Sequence, residues 1–483
     1  MLFNSLEFGV FFVVVFTAYW LLSHRKQNWL LLFASYYFYG SWNWKFLSLI
    51  ALSTVIDFAV GLRLSTTDDA VRRKRLLLCS VVANLGILGT FKYFNFFADS
   101  LARVLSGVGL EASWTALHIV LPVGISFYTF QTMSYTIDVY KRKMEPTRSF
   151  LDFAVFVAFF PQLVAGPIER ASRLLPQVSA PRTFSWDQLA EGWHLILWGL
   201  YKKVFIADGL ARVANQAFVS GAEACGLDVI LGLLAFCFQI YGDFSGYSDI
   251  ARGVAKCLGF ELMVNFDLPY VSKTPSEFWQ RWHISLSSWL RDYLYFSLGG
   301  NRRGNARTYW NLSATMLLGG LWHGAAWTYV VWGAYQGAIL MLYRPFERSG
   351  TGSGRSPKSG DSTALPASCS LPHALLSFTQ WALMFVLTNL GWLIFRATSV
   401  RQIGRLLAGC SLSPSPQSAG WARTLCARLA LLLPIQFGQY RSGDHLFMRR
   451  WAFPLRLAFY FTVFYSTVIF GVFGAHEFIY FQF

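Results

Sequence analysis

The amino-acid sequence predicts an all-α protein that crosses a membrane many times, and three observations support this fold class. The chain has 483 residues, of which 54% are hydrophobic and 14% are charged, whereas a soluble domain carries about 25% charged residues. Its mean hydropathy is +0.40. Several long stretches contain no Asp, Glu, Lys or Arg, and a helix needs about 20 mainly apolar residues to span a bilayer. These stretches are Gln27–Trp44, Leu76–Phe91, Ala112–Ile137, Phe153–Ile168, Thr308–Tyr343 and Leu457–Ala475.

We predict about 11 transmembrane helices from these apolar stretches, together with re-entrant and interfacial helices. In Phe153–Pro176, Pro161, Gly166 and Pro167 interrupt the helix, as in a re-entrant element. The predicted spans lie near residues 5–22, 28–44, 46–62, 76–97, 117–138, 188–206, 228–252, 309–321, 324–343, 374–396, 425–440 and 455–475.

A Gly/Ser/Pro-rich linker at residues 349–373 is predicted to separate a membrane core, residues 1–348, from the C-terminal membrane helices, residues 374–483. The net charge is +16, but the basic residues cluster between apolar stretches. That distribution is typical of cytoplasmic loops and does not indicate a nucleic-acid partner. The seven cysteines are scattered, without metal-ligand spacing, so no metal site and no bound cofactor are predicted.

The charge-free run Thr308–Tyr343 contains one side chain, His323, whose ordinary pKa lies near neutral pH. His323 lies among Gly319, Gly320 and Gly324. In a helix the first two glycines share the face of the imidazole, which would leave a groove beside the ring, wide enough for a substrate or a neighbouring helix. Gly324 is a candidate helix break. A histidine here is either a proton acceptor for chemistry or a packing residue that bonds to a neighbouring helix.

Thr274–Gly300 is predicted to be one amphipathic helix that lies at or dips into the membrane interface. Thr274 and Glu277 form a capping box, and Gly299–Gly300 ends the helix. On such a helix His283 aligns with Leu286 and Leu290, so it is either a core histidine or a residue that orients substrate.

The segment "QIYGDFSGYSDIARG" places Asp243, Ser245 and Asp249 at or near membrane depth. The two carboxylates are six residues apart and therefore lie on different faces of a helix, which argues against a paired acid and base. They are predicted to pair with Arg252 or Lys256, to bind a cation, or to orient an imidazole.

The chain lacks a Walker A loop, a GxSxG elbow and an HExxH signature. A histidine, polar partners and glycine-lined grooves in a membrane core fit two classes of function. One is transfer of an acyl group to a hydroxyl, and the other is a proton-coupled transporter or flippase. A transporter more often shows repeated halves, and no repeat is visible.

Six motifs together resemble the membrane-bound O-acyltransferase (MBOAT) family, in their order along residues 1–483. The motifs are "NWLLLFASYYFYGSW", "FFPQLVAGPIER", "YGDFSGYSDIARG", "FWQRWHISLSSWLRDYLYFSLGGNR", "GLWHGAAWTYVVWGAYQG" and "HEFIYFQF". The bacterial branch with the alginate O-acetylation subunit and the teichoic acid D-alanyl transferase is most similar. The linker and Gly404–Arg428 match less well.

The resemblance implies that His323 is the catalytic histidine, that His283 is the second motif histidine, and that a central tunnel joins both membrane faces at His323. Developing negative charge on the substrate needs donors. Asn311, Trp327 and backbone N–H groups near Gly320 are candidates for that role. Further candidates for tunnel lining or substrate binding are Trp322, Gly324, Asp243, Ser245, Asp249, Arg281 and Trp282.

The resemblance also implies the reaction. We expect an enzyme of the bacterial inner membrane that moves an acyl group, most simply acetyl, from a cytoplasmic acetyl-CoA or acyl-carrier thioester to a hydroxyl of an exported polysaccharide. D-alanyl transfer to teichoic acid is the alternative within the family. Expected partners are membrane lipid, an acyl-carrier protein, and periplasmic or extracellular acetylation proteins. Arg302, Arg303 and Arg307 either determine the membrane topology or attract the phosphopantetheine group of the donor.

Overall fold

The computed structural model describes residues 1–110, 119–219, 224–349, 371–474 and 478–479, and these residues form helices and no strand. Most of the predicted linker lies outside this part of the chain, so its role as a domain boundary stays a prediction. The first twelve helices are α1 (Leu6–Trp20), α2 (His24–Asn43), α3 (Leu47–Ser65), α4 (Ala70–Leu88), α5 (Phe94–Gly107), α6 (Ile125–Tyr140), α7 (Phe150–Ala158), α8 (Phe160–Leu163), α9 (Ala171–Ser179), α10 (Trp186–Leu200), α11 (Asp208–Ala217) and α12 (Leu227–Cys257).

The remaining helices follow the same chain order, and π-helical turns interrupt or extend three regions of the fold. These turns are Gly89–Tyr93, Tyr201–Ala207 and Leu290–Tyr295. The later helices are α13 (Pro275–Arg281), α14 (Ile284–Trp289), α15 (Gly304–His323), α16 (Trp327–Ser349), α17 (Leu371–Arg396), α18 (Val400–Gly409), α19 (Ser418–Leu429), α20 (Leu432–Ser442) and α21 (Phe453–Phe470).

Within the described residues, five continuous helical stretches are long and apolar enough to cross a membrane, which supports a multi-pass membrane protein. They are His24–Ser65, Ala70–Gly107, Leu227–Cys257, Ala374–Arg396 and Phe453–Phe470. The apolar helix α1 is shorter. The all-α class is confirmed, whereas the count of about 11 spans and the central tunnel stay predictions. The predicted interruption in Phe153–Pro176 is present, because α7 ends at Ala158 and α9 begins only at Ala171.

The chain divides into two compact units, and the first is built from residues 1–212, 238–264 and 428–483. Within it, α10 contacts the later part of α12 through glycines. A Cβ on Gly199 would lie 2.6 Å from the carbonyl oxygen of Gly246, and one on Gly192 would lie 2.7 Å from that of Gly253. The missing side chains therefore allow these two backbones to touch.

The second unit comprises residues 213–237 and 265–427, and it contains both motif histidines. The predicted continuous helix over Thr274–Gly300 is wrong. The capping box is present, since the Thr274 hydroxyl accepts from Glu277 N at 3.2 Å, but α13 ends at Arg281 and α14 starts at Ile284. His283, between them, has φ 45° and ψ 52°, a left-handed conformation that no continuous helix contains.

Candidate active site

His323 is the last residue of α15, and the chain turns at Gly324 into α16. Gly324 has an extended backbone, with φ −166° and ψ 154°, so the predicted helix break at this glycine is confirmed. The imidazole is buried, with 4% of the residue exposed. The tight turn places His323 at the closed end of an antiparallel helix pair, where the start of α16 covers it.

The glycines before His323 serve helix packing. A Cβ on Gly320 would lie 2.3 Å from the Tyr329 carbonyl oxygen and 3.2 Å from Cα of Gly333. A Cβ on Gly319 would lie 3.2 Å from Cδ1 of Leu290. The groove expected beside the imidazole is therefore occupied by a neighbouring helix, α16, and by the Leu290 side chain, so the neighbouring helix is the one of the two expected occupants that is confirmed.

His283 owes its left-handed backbone to Asn265, which sequence reasoning missed. The Asn265 carbonyl accepts from Ile284 N at 2.9 Å. Its side-chain Oδ1 lies 3.3 Å from His283 Nδ1 and accepts from Ser285 N at 3.2 Å and from Ser285 Oγ at 2.9 Å. A non-glycine residue in a sparsely populated backbone region costs about 1–3 kcal/mol and persists only where its surroundings fix it. Here Asn265 and Ser285 fix it, and His283 is fully buried.

The two histidines lie close together in the second unit. Their ring centroids are 6.3 Å apart, and the Trp322 ring lies 5.7 Å from His283 and 5.1 Å from His323. The His283 ring is therefore a neighbour of His323, and His283 with its partners Asn265 and Ser285 forms a cluster that we call the polar wall.

Four aromatic residues, Tyr329, Trp332, Trp392 and Phe395, form an aromatic wall, of which Trp332 and Phe395 contact His323. The centroids of Trp332 and Phe395 lie 5.1 and 5.5 Å from that of His323, with ring planes nearly perpendicular to the imidazole. Tyr329 lies 5.0 Å from Phe395, and Trp392 lies 5.7 Å from Phe395. Sequence reasoning missed these residues, since in an apolar helix nothing distinguishes an aromatic residue at a site from one in the core.

Comparison with known proteins of similar sequence identifies the family of this chain. Residues 144–348, which include both histidines, match the model of the membrane-bound O-acyltransferase family. The probable alginate O-acetylase AlgI of Pseudomonas aeruginosa is 44% identical over 408 residues, covering 84% of this chain and 74% of the relative. The chain belongs to the membrane-bound O-acyltransferase family.

Two further relatives show the breadth of this similarity. The peptidoglycan O-acetyltransferase of Helicobacter pylori is 33% identical over 442 residues, covering 85% of this chain and 79% of that protein. The teichoic acid D-alanyltransferase of Bacillus subtilis is 30% identical over 239 residues, which are 47% of this chain and 60% of that protein. This MBOAT protein is an O-acyltransferase. Of the two function classes that the residues alone left open, the family therefore supports the enzyme and not the transporter.

Three other predicted site residues of this MBOAT protein, Arg281, Trp282 and Trp327, lie in the second unit. Trp282 is buried and packs 4.7 Å from Trp392, behind the aromatic wall. Arg281 bonds to Glu277 at 3.0 Å and to the Asp267 carboxylate at 3.3 Å. Trp327, at the start of α16, is 57% exposed.

Asn311 is not brought to His323. It lies twelve residues earlier on α15, about 18 Å along the helix axis. Its amide nitrogen donates to the Gly300 carbonyl at 2.8 Å. This contact ties α15 to the turn that precedes it, so the oxyanion of an acyl transfer at His323 lies beyond its reach.

Asp243, Ser245 and Asp249 lie in the first unit of the MBOAT protein, where the carboxylates form ion pairs. Asp249 lies 2.6 Å from Lys202 and 3.5 Å from Arg252, so the predicted pairing with Arg252 is confirmed. Lys256 instead pairs with Glu191 and Glu261. Asp243 contacts Lys203 at 2.6 Å, a partner that lies forty positions away and that helix spacing alone does not indicate. Ser245 is buried beside these pairs on α12.

Proposed function

We propose that this O-acyltransferase moves an acetyl group from a thioester donor on the cytoplasmic side to a hydroxyl of an exported cell-surface polysaccharide, with His323 as general base. The observation that carries the proposal is that His323 is a neighbour of both the polar wall and the aromatic wall. Acyl transfer joins a polar hydroxyl to a small apolar acyl group, and both must reach the same proton acceptor.

In the proposed reaction, the acceptor hydroxyl attacks the carbonyl carbon of the thioester while His323 takes the hydroxyl proton. The resulting tetrahedral intermediate collapses by breaking the carbon–sulfur bond. The thiolate that leaves takes the proton from His323, so the imidazole is regenerated and the products are an ester and a free thiol. A positioned general base accelerates such a step by about 10²–10⁴-fold.

In the proposal, the two walls receive different substrates. The hydroxyl side is formed by His283, Asn265 and Ser285, which offer hydrogen-bonding groups at a buried position. The acyl side is formed by Trp332, Tyr329 and Phe395, which exclude water from the thioester carbonyl. In this arrangement His283 touches the acceptor and orients it, while Asn265 acts through His283.

The donor, the partners and the location extend the same proposal. Arg302 and Arg303 are exposed on the loop before α15 and Arg307 is exposed in the first turns of α15, where they would attract the phosphates of acetyl-CoA or an acidic acyl-carrier protein. Periplasmic or extracellular acetylation proteins would receive or pass on the acetyl group, and the membrane would be the bacterial inner membrane. The alginate-type relatives cover 84% of the chain and the D-alanyl-type relatives less than half, which supports a polysaccharide acceptor over teichoic acid.

The test uses an alginate-producing Pseudomonas aeruginosa strain that lacks its own alginate O-acetylase, so that the other components of the system are present. Cells express the wild-type chain, His323→Ala, or the control His24→Ala, at equal membrane levels. Base-released acetate from the exported alginate is then measured. We expect wild type and His24→Ala to restore the ester and His323→Ala to lose it.

Two results would contradict the proposal. Ester formation by His323→Ala at the wild-type level would remove the role of His323 as the base. No ester with the wild-type chain would exclude alginate-type polysaccharide as the acceptor, and teichoic acid or peptidoglycan would be tested in its place.

A further inference from the structure

The first unit contains an apolar cleft of about 1160 Å³ that no step of acyl transfer uses. It lies between α1, α10, the later part of α12 and α21. Its walls include Val10, Val13, Leu197, Val254 and Phe464. Val10 and Val13 are 60% and 58% exposed, so the cleft opens at the surface of α1. A membrane-spanning protein presents such an apolar surface to lipid tails.

His194 lines this cleft and is the observation that points to a ligand. Only 2% of the residue is exposed, and its Nδ1 lies 3.0 Å from the Tyr460 hydroxyl. Its Nε2 is buried without a hydrogen-bond partner among the described residues. Burying a polar atom in apolar surroundings without a hydrogen-bond partner is unfavourable. A ligand that supplies a partner would remove this cost.

The hydrogen bond to Tyr460 determines which partner His194 needs. We assign Tyr460 as the donor to Nδ1, and in that tautomer the ring proton of neutral imidazole lies on Nε2. Nε2 is then a donor that needs an acceptor, and His194 lines an apolar cleft. The ester carbonyl of a lipid is an acceptor without charge.

The depth of His194 also fits an ester carbonyl. Glu191 lies one turn earlier on α10 and binds Lys256 at 2.9 Å and Arg449 at 2.6 Å, and such a charged cluster belongs near the aqueous boundary. Trp193 is 51% exposed and also lines the cleft, and exposed tryptophans concentrate at the membrane interface. His194 therefore lies where charged groups give way to hydrocarbon.

We propose that this cleft binds one acyl chain of a membrane glycerolipid, with the ester carbonyl accepting a hydrogen bond from His194 Nε2. A fatty acid fits less well, because its carboxylate needs a cation, and Lys256 and Arg449 are already paired with Glu191. The site is separate from the acyl transfer reaction and does not depend on the proposed function.

The test measures lipid retained by the full-length protein after purification in detergent, by native mass spectrometry. The probe is a dioleoyl phosphatidylethanolamine, compared with its diether analogue, which lacks both ester carbonyls. His194→Phe keeps a ring and removes the donor, and Val10→Trp fills the cleft from its open side. Val82→Trp is the matched control, because Val82 is also 60% exposed but lies on α4, outside the cleft.

We expect wild type and Val82→Trp to retain the ester lipid in preference to the diether. We expect both His194→Phe and Val10→Trp to retain at least about tenfold less, a loss equivalent to about 1.4 kcal/mol. Equal retention of the two lipids by wild type, or unchanged retention in both cleft variants, would overturn the proposal. Retention of a free fatty acid or another amphiphile without an ester would overturn it too. His194→Phe and Val10→Trp alter the site by different routes, so misfolding of one leaves the other as the test.

Discussion

At the residue scale, the left-handed backbone conformation of His283 depends on the side-chain amide oxygen of Asn265. Three contacts converge on Asn265 Oδ1, from His283 Nδ1, Ser285 N and Ser285 Oγ. An aspartate at this position keeps the acceptor, whereas a leucine of similar shape removes it. We therefore predict that Asn265→Leu lowers acyl transfer at least about tenfold, the cost of roughly one unmade buried hydrogen bond, and that Asn265→Asp retains more activity than Asn265→Leu.

Ester formation on exported alginate, at matched membrane levels and thermal midpoints, checks this prediction. Recovery by aspartate identifies Asn265 as a positioning residue that acts through His283. Equal losses in the two variants at equal stability would contradict it, because both substitutions would then act by some route other than the oxygen acceptor.

The size of the acyl group also depends on single residues, above all Phe395. Its ring lies 5.5 Å from the His323 ring and the residue is 1% exposed. Phe395→Ala or the milder Phe395→Leu opens space on the acyl side. We predict that the ratio of butyryl to acetyl transfer rises about tenfold or more, since each added methylene changes selectivity by roughly 10–200-fold.

Membrane vesicles supplied with equal acetyl-CoA and butyryl-CoA test this ratio by mass spectrometry of the released acids. Phe385→Ala is the control, because Phe385 is on the same helix but about 15 Å away along its axis, beside Tyr270. An unchanged ratio in both Phe395 variants would show that Phe395 does not limit the acyl group.

At the element scale, the helix pair α15–α16 shows which features sequence patterns can predict. The break at Gly324 was predictable, since glycine next to a histidine in an apolar run is a strong local signal. The break at His283 was not, because apolar residues keep helical spacing through it and Asn265, which lies on another part of the chain, imposes the turn. The partners Trp332 and Phe395 also depend on chain reversal, which local periodicity does not encode.

The same helix pair gives a stability prediction with an internal control. A Cβ on Gly320 meets the backbone of α16 at 2.3 Å, whereas a Cβ on Gly337 meets Ser313 and Met316 at 3.5 Å or more. We predict that Gly320→Ala destabilises the protein by about 1–3 kcal/mol through overpacking. Gly337→Ala should be neutral or stabilising, by up to about 1 kcal/mol of helix propensity. Thermal unfolding in detergent measures both, and equal midpoints would contradict the close approach at Gly320.

At the scale of the whole molecule, the carboxylate of Asp243 joins the three chain segments of the first unit. Lys203 belongs to residues 1–212, Asp243 to 238–264, and Ile479 to 428–483. Asp243 lies 2.6 Å from Lys203 and accepts from Ile479 N at 2.7 Å. Composition predicted a polytopic all-α chain, but composition does not indicate which distant segments contact the same buried carboxylate.

Lys203 is the single cation of a buried triad, because it also binds Asp208 at 2.9 Å. Lys203→Met leaves two buried carboxylates without their cation, and we predict a loss of about 3–5 kcal/mol in unfolding free energy. Asp243→Asn should cost less, because Lys203 and Asp208 still balance each other. Arg142→Met removes a surface pair with Asp68 whose side chains are 65% and 92% exposed, and it should leave the thermal midpoint unchanged. If Asp243→Asn proved as destabilising as Lys203→Met, charge balance would not explain the triad, and the link to Ile479 would be the dominant contribution.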